Sequence, residues 1–296
     1  RLVSATTATG STSHLITSII ANFVKEKTDS QIIISVIPTS GSADGLDRLA
    51  HREVNFMTGP TGASLYWAST LTGPYEGKWD SPVYLYAMFP YAMSVFHTVL
   101  KADSPIETWE DLEGKKLSLG SPNSIGAQSF GALLDIKGIT EAERLTLALS
   151  AGLDALKDNK IDISFYQTGA PNPSVEEFAT RHPMKFLDFD QALVDEFNKS
   201  QFGGTDANSL TTLSKETYVN MTRDAQAMVS LQCFNTGEGV PEEAAYWITK
   251  VCWENREELM AIHPALTGML TEEKVLVIPN EIHAGAMKYY KEIGIF

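Results

Sequence analysis

Residues 94–128 read SVFHTVLKADSPIETWEDLEGKKLSLGSPNSIGAQ, and the fold is decided in this run. Val95, His97 and Val99 alternate with Phe96, Thr98 and Leu100, the period of two expected of a half-buried strand. Ser104-Pro105 interrupts it. Trp109 to Leu112 reads as a short acidic helix, closed by Glu113-Gly114-Lys115 with glycine where a C-cap favours it. Lys116 to Leu119 predicts a second strand. It runs into Gly120-Ser121-Pro122-Asn123-Ser124, where serine and asparagine stand at the mouth of a new helix. A hydroxyl-rich helix N-terminus is a natural seat for a small anion.

Upstream, the same pattern of strand, small polar turn and helix recurs. Leu2 to Thr6 predicts a strand that opens into Thr7 to Ser13, and a helix follows with Leu15, Ile16, Ile19, Ile20, Phe23 and Val24 on one face. Gln31 to Ile37 is a β-branched strand ending in Pro38-Thr39-Ser40-Gly41-Ser42, before a helix that carries Leu46 and Leu49 inward. Asn55 to Thr58 is a third strand, followed by Gly59 to Ser64 and a helix with Tyr66 and Trp67. Downstream, strands are expected at Arg144–Leu149, Asp162–Gln167, Lys185–Phe189 and Ala225–Phe234, with helices at Ala155–Lys160, Val175–Arg181 and Ala192–Lys199. Three helical segments end the chain. Such alternation predicts parallel α/β units, whose ligand crevice lies at the carboxyl ends of the strands.

The totals restrict function. The 296 residues carry 37 acidic and 23 basic side chains, a net charge of −14, which excludes the basic footprint of a nucleic-acid binder. Two cysteines, Cys233 and Cys252, suit neither a disulfide framework nor a zinc site; they read as buried thiols or as one disulfide. No apolar run reaches the ~20 residues of a membrane span. The sequence starts at Arg1 without methionine, as a processed, exported protein or a trimmed chain does.

Two strands, Val95–Leu100 and Ala225–Phe234, separate groups of α/β units. The expected architecture is therefore an α/β, two-lobed, periplasmic-binding-protein-like fold of type II. Its first lobe is residues 1–95 plus 228–296, its second 96–227, with two crossing hinge strands and a ligand crevice between lobes.

Several runs sharpen this expectation: Ala5-Thr6-Thr7-Ala8-Thr9-Gly10-Ser11-Thr12, Pro38-Thr39-Ser40-Gly41-Ser42, Ala102-Asp103-Ser104-Pro105-Ile106 with Asp111-Leu112-Glu113-Gly114-Lys115-Lys116, Gly169-Ala170-Pro171-Asn172-Pro173-Ser174, and Trp253 to Leu259. In this order and over almost the whole chain, they resemble the TAXI family of substrate-binding proteins of TRAP transporters. Two turns differ from that family's pattern, at Ser13-His14 and at Asn123-Ser124-Ile125-Gly126. The resemblance implies a monomeric periplasmic protein without enzymatic activity, cofactor or metal. It would bind a small organic acid, such as glutamate or 2-oxoglutarate, and deliver it to the membrane subunits of a TRAP transporter.

The turns themselves predict where such a ligand is held. From the first lobe come Thr9, Ser11, Thr12 and Ser13, then Ser40, Gly41 and Ser42, then Thr61 with Tyr66. From the second come Ser121, Asn123, Ser124, Ile125 and Gln128, and Tyr166, Thr168 and Gly169 at the end of the Asp162–Gln167 strand. Each helix N-terminus offers orphan N–H groups and a partial positive charge worth ~0.3–1 kcal/mol to an anion; plain N-capping is the competing reading of every one. His97 on the first crossing strand is either a hydrogen-bonded structural residue or a ligand contact. Trp67 and Tyr75 are core or crevice wall. Arg48, Arg52, Arg144, Arg181 and Arg256 read as solvated, and Arg223 alone stands near the crevice. A hydrolase is disfavoured because no Gly-x-Ser-x-Gly elbow occurs. The remaining enzyme alternative, a cofactor-dependent synthase of a thiamine pyrimidine on the same fold, would need His14 or His97 in the cleft. A regulator would need a DNA-binding segment, and none is visible.

Overall fold

The computed structural model describes residues 2–7, 9, 11–60, 62–121 and 124–296. Thr61 and Asn123, both expected to contact ligand, therefore lie outside the described residues. The chain forms two compact units, unit 1 from Arg1–Ala92 with Leu231–Phe296 and unit 2 from Met93–Ser230.

Unit 1 opens with β1 (Leu2–Thr6), α1 (Thr12–Lys27), β2 (Ile34–Pro38), α2 (Ser42–Ala50), β3 (Phe56–Met57) and α3 (Gly62–Thr70). β1 is parallel to β2, Leu2 opposite Ile34 through Thr6 opposite Pro38, and parallel to β3, Ser4 opposite Phe56. Ile16, Ile20, Phe23 and Val24 of α1 are buried, whereas Leu15, expected on that face, is 45 % exposed. The buried stripe follows the 3.6 period, and Thr17 and Ala21 fill its remaining places. β4 (Tyr86–Lys101) then carries the chain from unit 1 into unit 2.

Unit 2 continues with β5 (Lys116–Ser118), α4 (Ile125–Ile136), β6 (Glu143–Leu145), α5 (Leu149–Lys157), β7 (Ile163–Thr168), α6 (Pro173–Arg181), β8 (Met184–Phe186), α7 (Gln191–Phe202) and β9 (Ser209–Leu213). β5 lies parallel to both β6 and β7. β7 and β8 each run antiparallel to β4, with Val95 opposite Thr168 and Val99 opposite Phe186. β10 (Ala225–Thr236) pairs with β9 inside unit 2 and then, back in unit 1, antiparallel to β3 through Asn235 and Met57. Unit 1 is completed by α8 (Glu242–Glu254), α9 (Arg256–Ala261), α10 (Glu272–Leu276) and α11 (Ala284–Glu292).

Three expectations are corrected. β4 is buried along nearly its whole length, not half-buried, and it begins nine residues before Val95. Its period of two separates two cores instead of core from water. Phe96 meets Phe130, Phe189 and Phe197 on one side, whereas Val95 and Val99 join Leu153, Val175, Phe186 and Tyr218 on the other. The acidic helix at Trp109–Leu112 is a 3₁₀ turn, Glu110–Leu112. The strand read at Arg144–Leu149 stops at Leu145, because Leu149 already opens α5 and is buried there. Cys233 and Cys252 are buried free thiols.

Unit 2 has an aromatic stack at its centre. Phe165 lies 4.6 Å from Phe130 and 5.8 Å from Trp109, both rings stacked nearly parallel to it. Phe165→Ala should lower stability by about 3–5 kcal/mol, the range for removing a buried phenyl ring. Urea unfolding followed by tryptophan fluorescence should show a lower midpoint at unchanged slope; an unmoved midpoint would show that the stack contributes little.

Candidate functional site

β1, β2 and β3 are parallel, so the turns that follow them leave the sheet of unit 1 at one end. Ser11 caps α1, with extended backbone and its Oγ accepting the His14 N–H at 3.2 Å. Thr7 Oγ1 donates to Ser11 Oγ at 2.8 Å. Thr9 is exposed, and Thr12 is half-buried at the first position of α1. Ser13 is buried, and its hydroxyl begins a closed relay. Ser13 donates to Thr58 Oγ1 at 3.4 Å, Thr58 donates to Thr17 Oγ1 at 2.5 Å, and Thr17 donates to the Ser13 carbonyl at 2.7 Å. The relay ties α1 to the end of β3. Gly59, at φ +103°, follows at once; a Cβ there would stand 2.8 Å from Thr7 Cγ2 and 2.9 Å from Ser13 Oγ. Only glycine permits both this backbone and this contact.

The turn after β2 is arranged differently. Asp44, in the first turn of α2, accepts the Ser40 N–H at 2.9 Å and the Ser40 hydroxyl at 3.1 Å, and Arg48 Nε reaches it at 3.0 Å. The Ser40 N–H, with Arg48 beside it, holds the Asp44 carboxyl below the usual carboxylate range. The anion seat expected at Ser40 thus receives the chain's own carboxylate, in the manner of a capping box. Gly41 and Ser42 remain half-buried at the start of α2. Tyr66 is half-buried in α3. Trp67 and Tyr75 belong to the core, Tyr75 fully buried and stacked 4.8 Å from Trp79.

In unit 2 the parallel pair β5 and β7 ends in the second set of turns. Ser124 caps α4, its Oγ accepting the Ala127 N–H at 3.1 Å, and its own N–H donates to the Ser121 carbonyl. Ile125 is half-buried behind it, and Gln128 is exposed one turn on. Gly120 repeats the φ of +103° seen at Gly59, and a Cβ there would lie 3.5 Å from the Tyr166 ring. Of the alternating pair, Phe165 is buried and Tyr166 is half-exposed, so Tyr166 borders this turn. Thr168 Oγ1 accepts from Asn172 Nδ2 at 3.3 Å, and Gly169 is half-buried between them.

His97 is not a mouth residue. It is fully buried in unit 2, and its Nδ1–H donates to the Val95 carbonyl at 3.0 Å while Nε2 accepts from the Tyr218 hydroxyl at 2.7 Å. The Tyr218 oxygen in turn accepts the Asn172 N–H at 2.9 Å. Burial lowers the His97 pKa to about 4, so the ring is neutral near pH 7 and suits this one-directional chain. Its effect is to fasten the Thr168–Asn172 turn to β4. Arg223, the one arginine considered for the crevice, instead bonds Asp188 at 2.6 Å and the Phe186 carbonyl at 2.8 Å.

Three residues that bond or pack against the turns are not legible in the sequence as such. Tyr218 sits in the segment with the weakest periodicity. Tyr91 on β4 is fully buried, and its hydroxyl lies against Ser13 and Gly59 without a well-formed hydrogen bond. Asp44 alone carried a signal, an acid in a first helical turn. A cavity of about 330 Å³ in unit 1, lined among others by His51, Arg52, Trp79 and Glu238, opens at the C-terminal end of α2, away from these turns. Among the described residues no cluster of His, Cys, Asp or Glu is placed to hold a metal, and no helix is long and apolar enough to cross a membrane.

A family model described as the NMT1-like family matches residues 4–294. The chain belongs to the NMT1-like family. This NMT1-like chain is similar in fold to XAC2383 from Xanthomonas citri. That protein bound to ATP matches with a TM-score of 0.56 at 12 % identity over 99 % of this chain and 98 % of the other. Bound to chloride ion it matches with a TM-score of 0.57 at 13 % identity, over 98 % and 99 %. The periplasmic aliphatic sulphonate binding protein SsuA from Escherichia coli aligns at 13 % identity with a TM-score of 0.49, over 99 % and 87 %. The fold is α/β, in keeping with the likeness to XAC2383.

The His97 network makes a pH prediction. In the unfolded chain His97 takes up a proton near its ordinary value of 6.5, whereas in the native protein it does so near 4. Its contribution is therefore present above pH 6.5 and lost progressively as pH falls to 4. Melting temperatures measured across that window should fall more steeply for the wild type than for His97→Gln; parallel curves would contradict the assignment.

Proposed function

We propose that this NMT1-like chain is an extracytoplasmic solute-binding protein that captures a small organic acid and delivers it to the membrane subunits of a TRAP transporter, as the TAXI resemblance implies. In this reading residues 1–95 with 228–296 and residues 96–227 act as its two lobes. The chain works in the periplasm as a monomer, without cofactor or catalysis.

One observation carries the reading. In each unit, hydroxyl-bearing turns and helix N-termini sit together at the carboxyl ends of parallel strands, with a positive-φ glycine, Gly59 or Gly120, that lets backbone approach closely. Such an arrangement suits an anion; among the described residues it brings together no nucleophile, base and orienting acid. The enzyme alternative is weakened at its own residues. His97 is enclosed, and His14 has Nδ1 3.0 Å from Thr6 Oγ1 in the first turn. The anionic ligands in the XAC2383 structures, ATP and chloride, are in keeping with an anion-binding role on this fold.

Thermal-shift screening against organic acids and amino acids tests the proposal, because a ligand at 100 times its Kd stabilises the fold by ~2.7 kcal/mol. Titration calorimetry of the hits should give 1:1 binding. Ser124→Ala should remove about 0.5–2 kcal/mol of cap stability from the free protein. It should also weaken ligand binding at least about tenfold, the lower end for a lost hydrogen bond to a charged group. Turnover of a compound, with no acid shifting the melting temperature, would overturn the transport reading.

A further inference from the structure

The cavity of about 330 Å³ in unit 1 plays no part in the organic-acid reading, since none of the turns described above lines it. Its volume lies at the lower end of the range of about 300–1,000 Å³ for pockets that hold small molecules. Its floor is fixed. Leu49 of α2 is buried, and a Cβ on Gly237 would stand 2.8 Å from Leu49 Cδ1, so glycine lets the chain after β10 close against α2. Trp79 forms a wall. It stacks 4.8 Å from Tyr75, and its Nε1–H donates to Asp47 Oδ1 at 2.9 Å, which settles the orientation of the indole.

The charges around the cavity fall into two groups. Asp47 is engaged by the chain itself: besides Trp79 it has Lys78 Nζ at 3.8 Å and His51 Nδ1 at 3.9 Å. Arg52, Asp80 and Glu238 also line the cavity, and all three are exposed. Among the described residues none of these three makes an ion pair or a side-chain hydrogen bond. They come from separate segments: Arg52 follows α2, Asp80 precedes β4 and Glu238 follows β10.

Arg52 stands where the backbone favours a different residue. It holds φ +57° at the end of α2. Its N–H donates to the Leu49 carbonyl at 3.0 Å, and the Glu53 N–H donates to the Arg48 carbonyl at 2.9 Å. That is a Schellman termination, whose left-handed position glycine fills at least cost. A guanidinium kept there, without a partner and at the edge of a cavity, is a strained residue of the kind found at binding sites. The lining thus presents one unanswered cation and two unanswered carboxylates to a single small volume. A simple anion would meet Arg52 beside two carboxylates, and a simple cation would leave Arg52 unanswered. A ligand with charges of both signs meets each group with its opposite.

We propose that this cavity is a second small-molecule site, for an amphoteric ligand of the amino-acid class. Arg52 receives the carboxylate, Asp80 and Glu238 receive the ammonium group, and Trp79 and Leu49 receive the apolar side chain. The site belongs wholly to unit 1 and stands independently of the organic-acid reading.

NMR of the full chain with isotope-labelled tryptophan tests it, the Trp79 indole resonance being assigned through Trp79→Phe. The proteinogenic amino acids are added singly at millimolar concentration. The expected result is that at least one of them shifts the Trp79 resonance. The same compound lacking its amino group, or lacking its carboxyl group, should bind at least about tenfold more weakly. Arg52→Gly should weaken binding by a similar factor with the melting temperature unchanged or raised, because glycine suits this backbone. Glu238→Gln should weaken binding as well. A Trp79 resonance unmoved by every amino acid, full affinity for the deaminated acid, or full affinity in Arg52→Gly overturns the inference. Each of these results leaves the organic-acid reading standing, since that reading makes no use of the cavity.

Discussion

Each parallel strand in this chain hands over directly to a helix, and that geometry governs both structure and chemistry. The unpaired N–H groups of the helix's first turn are brought to the carboxyl end of the strand. β1, β2 and β3 do this in unit 1, and β5 and β7 in unit 2. Serine and threonine meet the local need for caps, as Ser11 and Ser124 show, and the surplus hydroxyls bind one another. The same geometry sends the helix C-termini, with their lysines and arginines, to the far end. Polarity in this protein is thus a property of chain direction before it is a property of any residue.

β4 imposes the second constraint. A sixteen-residue strand buried on both faces makes an unpaired polar group costly. His97 is tolerated because its two nitrogens are matched by one carbonyl and one hydroxyl, and because Tyr218 is matched in turn by Asn172. The polar chain ends on a backbone N–H in a turn at the end of β7. A residue placed in the interior therefore fixes a loop at the surface, with no contact of its own to solvent.

The elements most legible in the sequence were those with one strong period. β1 was read to the residue, and the buried stripe of α8, with Ala245, Ile248, Val251 and Cys252, follows its helical spacing. At β4 the sequence misleads, because alternation of apolar with mildly polar residues looks the same whether the second face meets water or another core. β9, Ser209–Leu213, is hidden in a Gly- and Thr-rich stretch; it pairs with β10 off the main strand order, and such a strand needs no continuous apolar run. For the site, composition pointed to the turns, but composition cannot report engagement. That Asp44 takes the Ser40 donors is a local event and was within reach. That Tyr218 meets His97 across 121 residues was not, since no local pattern encodes such a pairing.

Cys233 and Cys252 lend the molecule a practical property. Both are unbonded and at most 2 % exposed, and burial pushes each thiol well above its ordinary range. The thiolate is the form that reacts, so neither residue takes up an alkylating reagent while the fold is intact. A cysteine introduced at an exposed position such as Thr9 or Gln128 is then the single reactive thiol of the chain. A fluorophore or spin label can be attached there with the native cysteines left in place, giving an optical or magnetic reporter at a chosen turn of either unit.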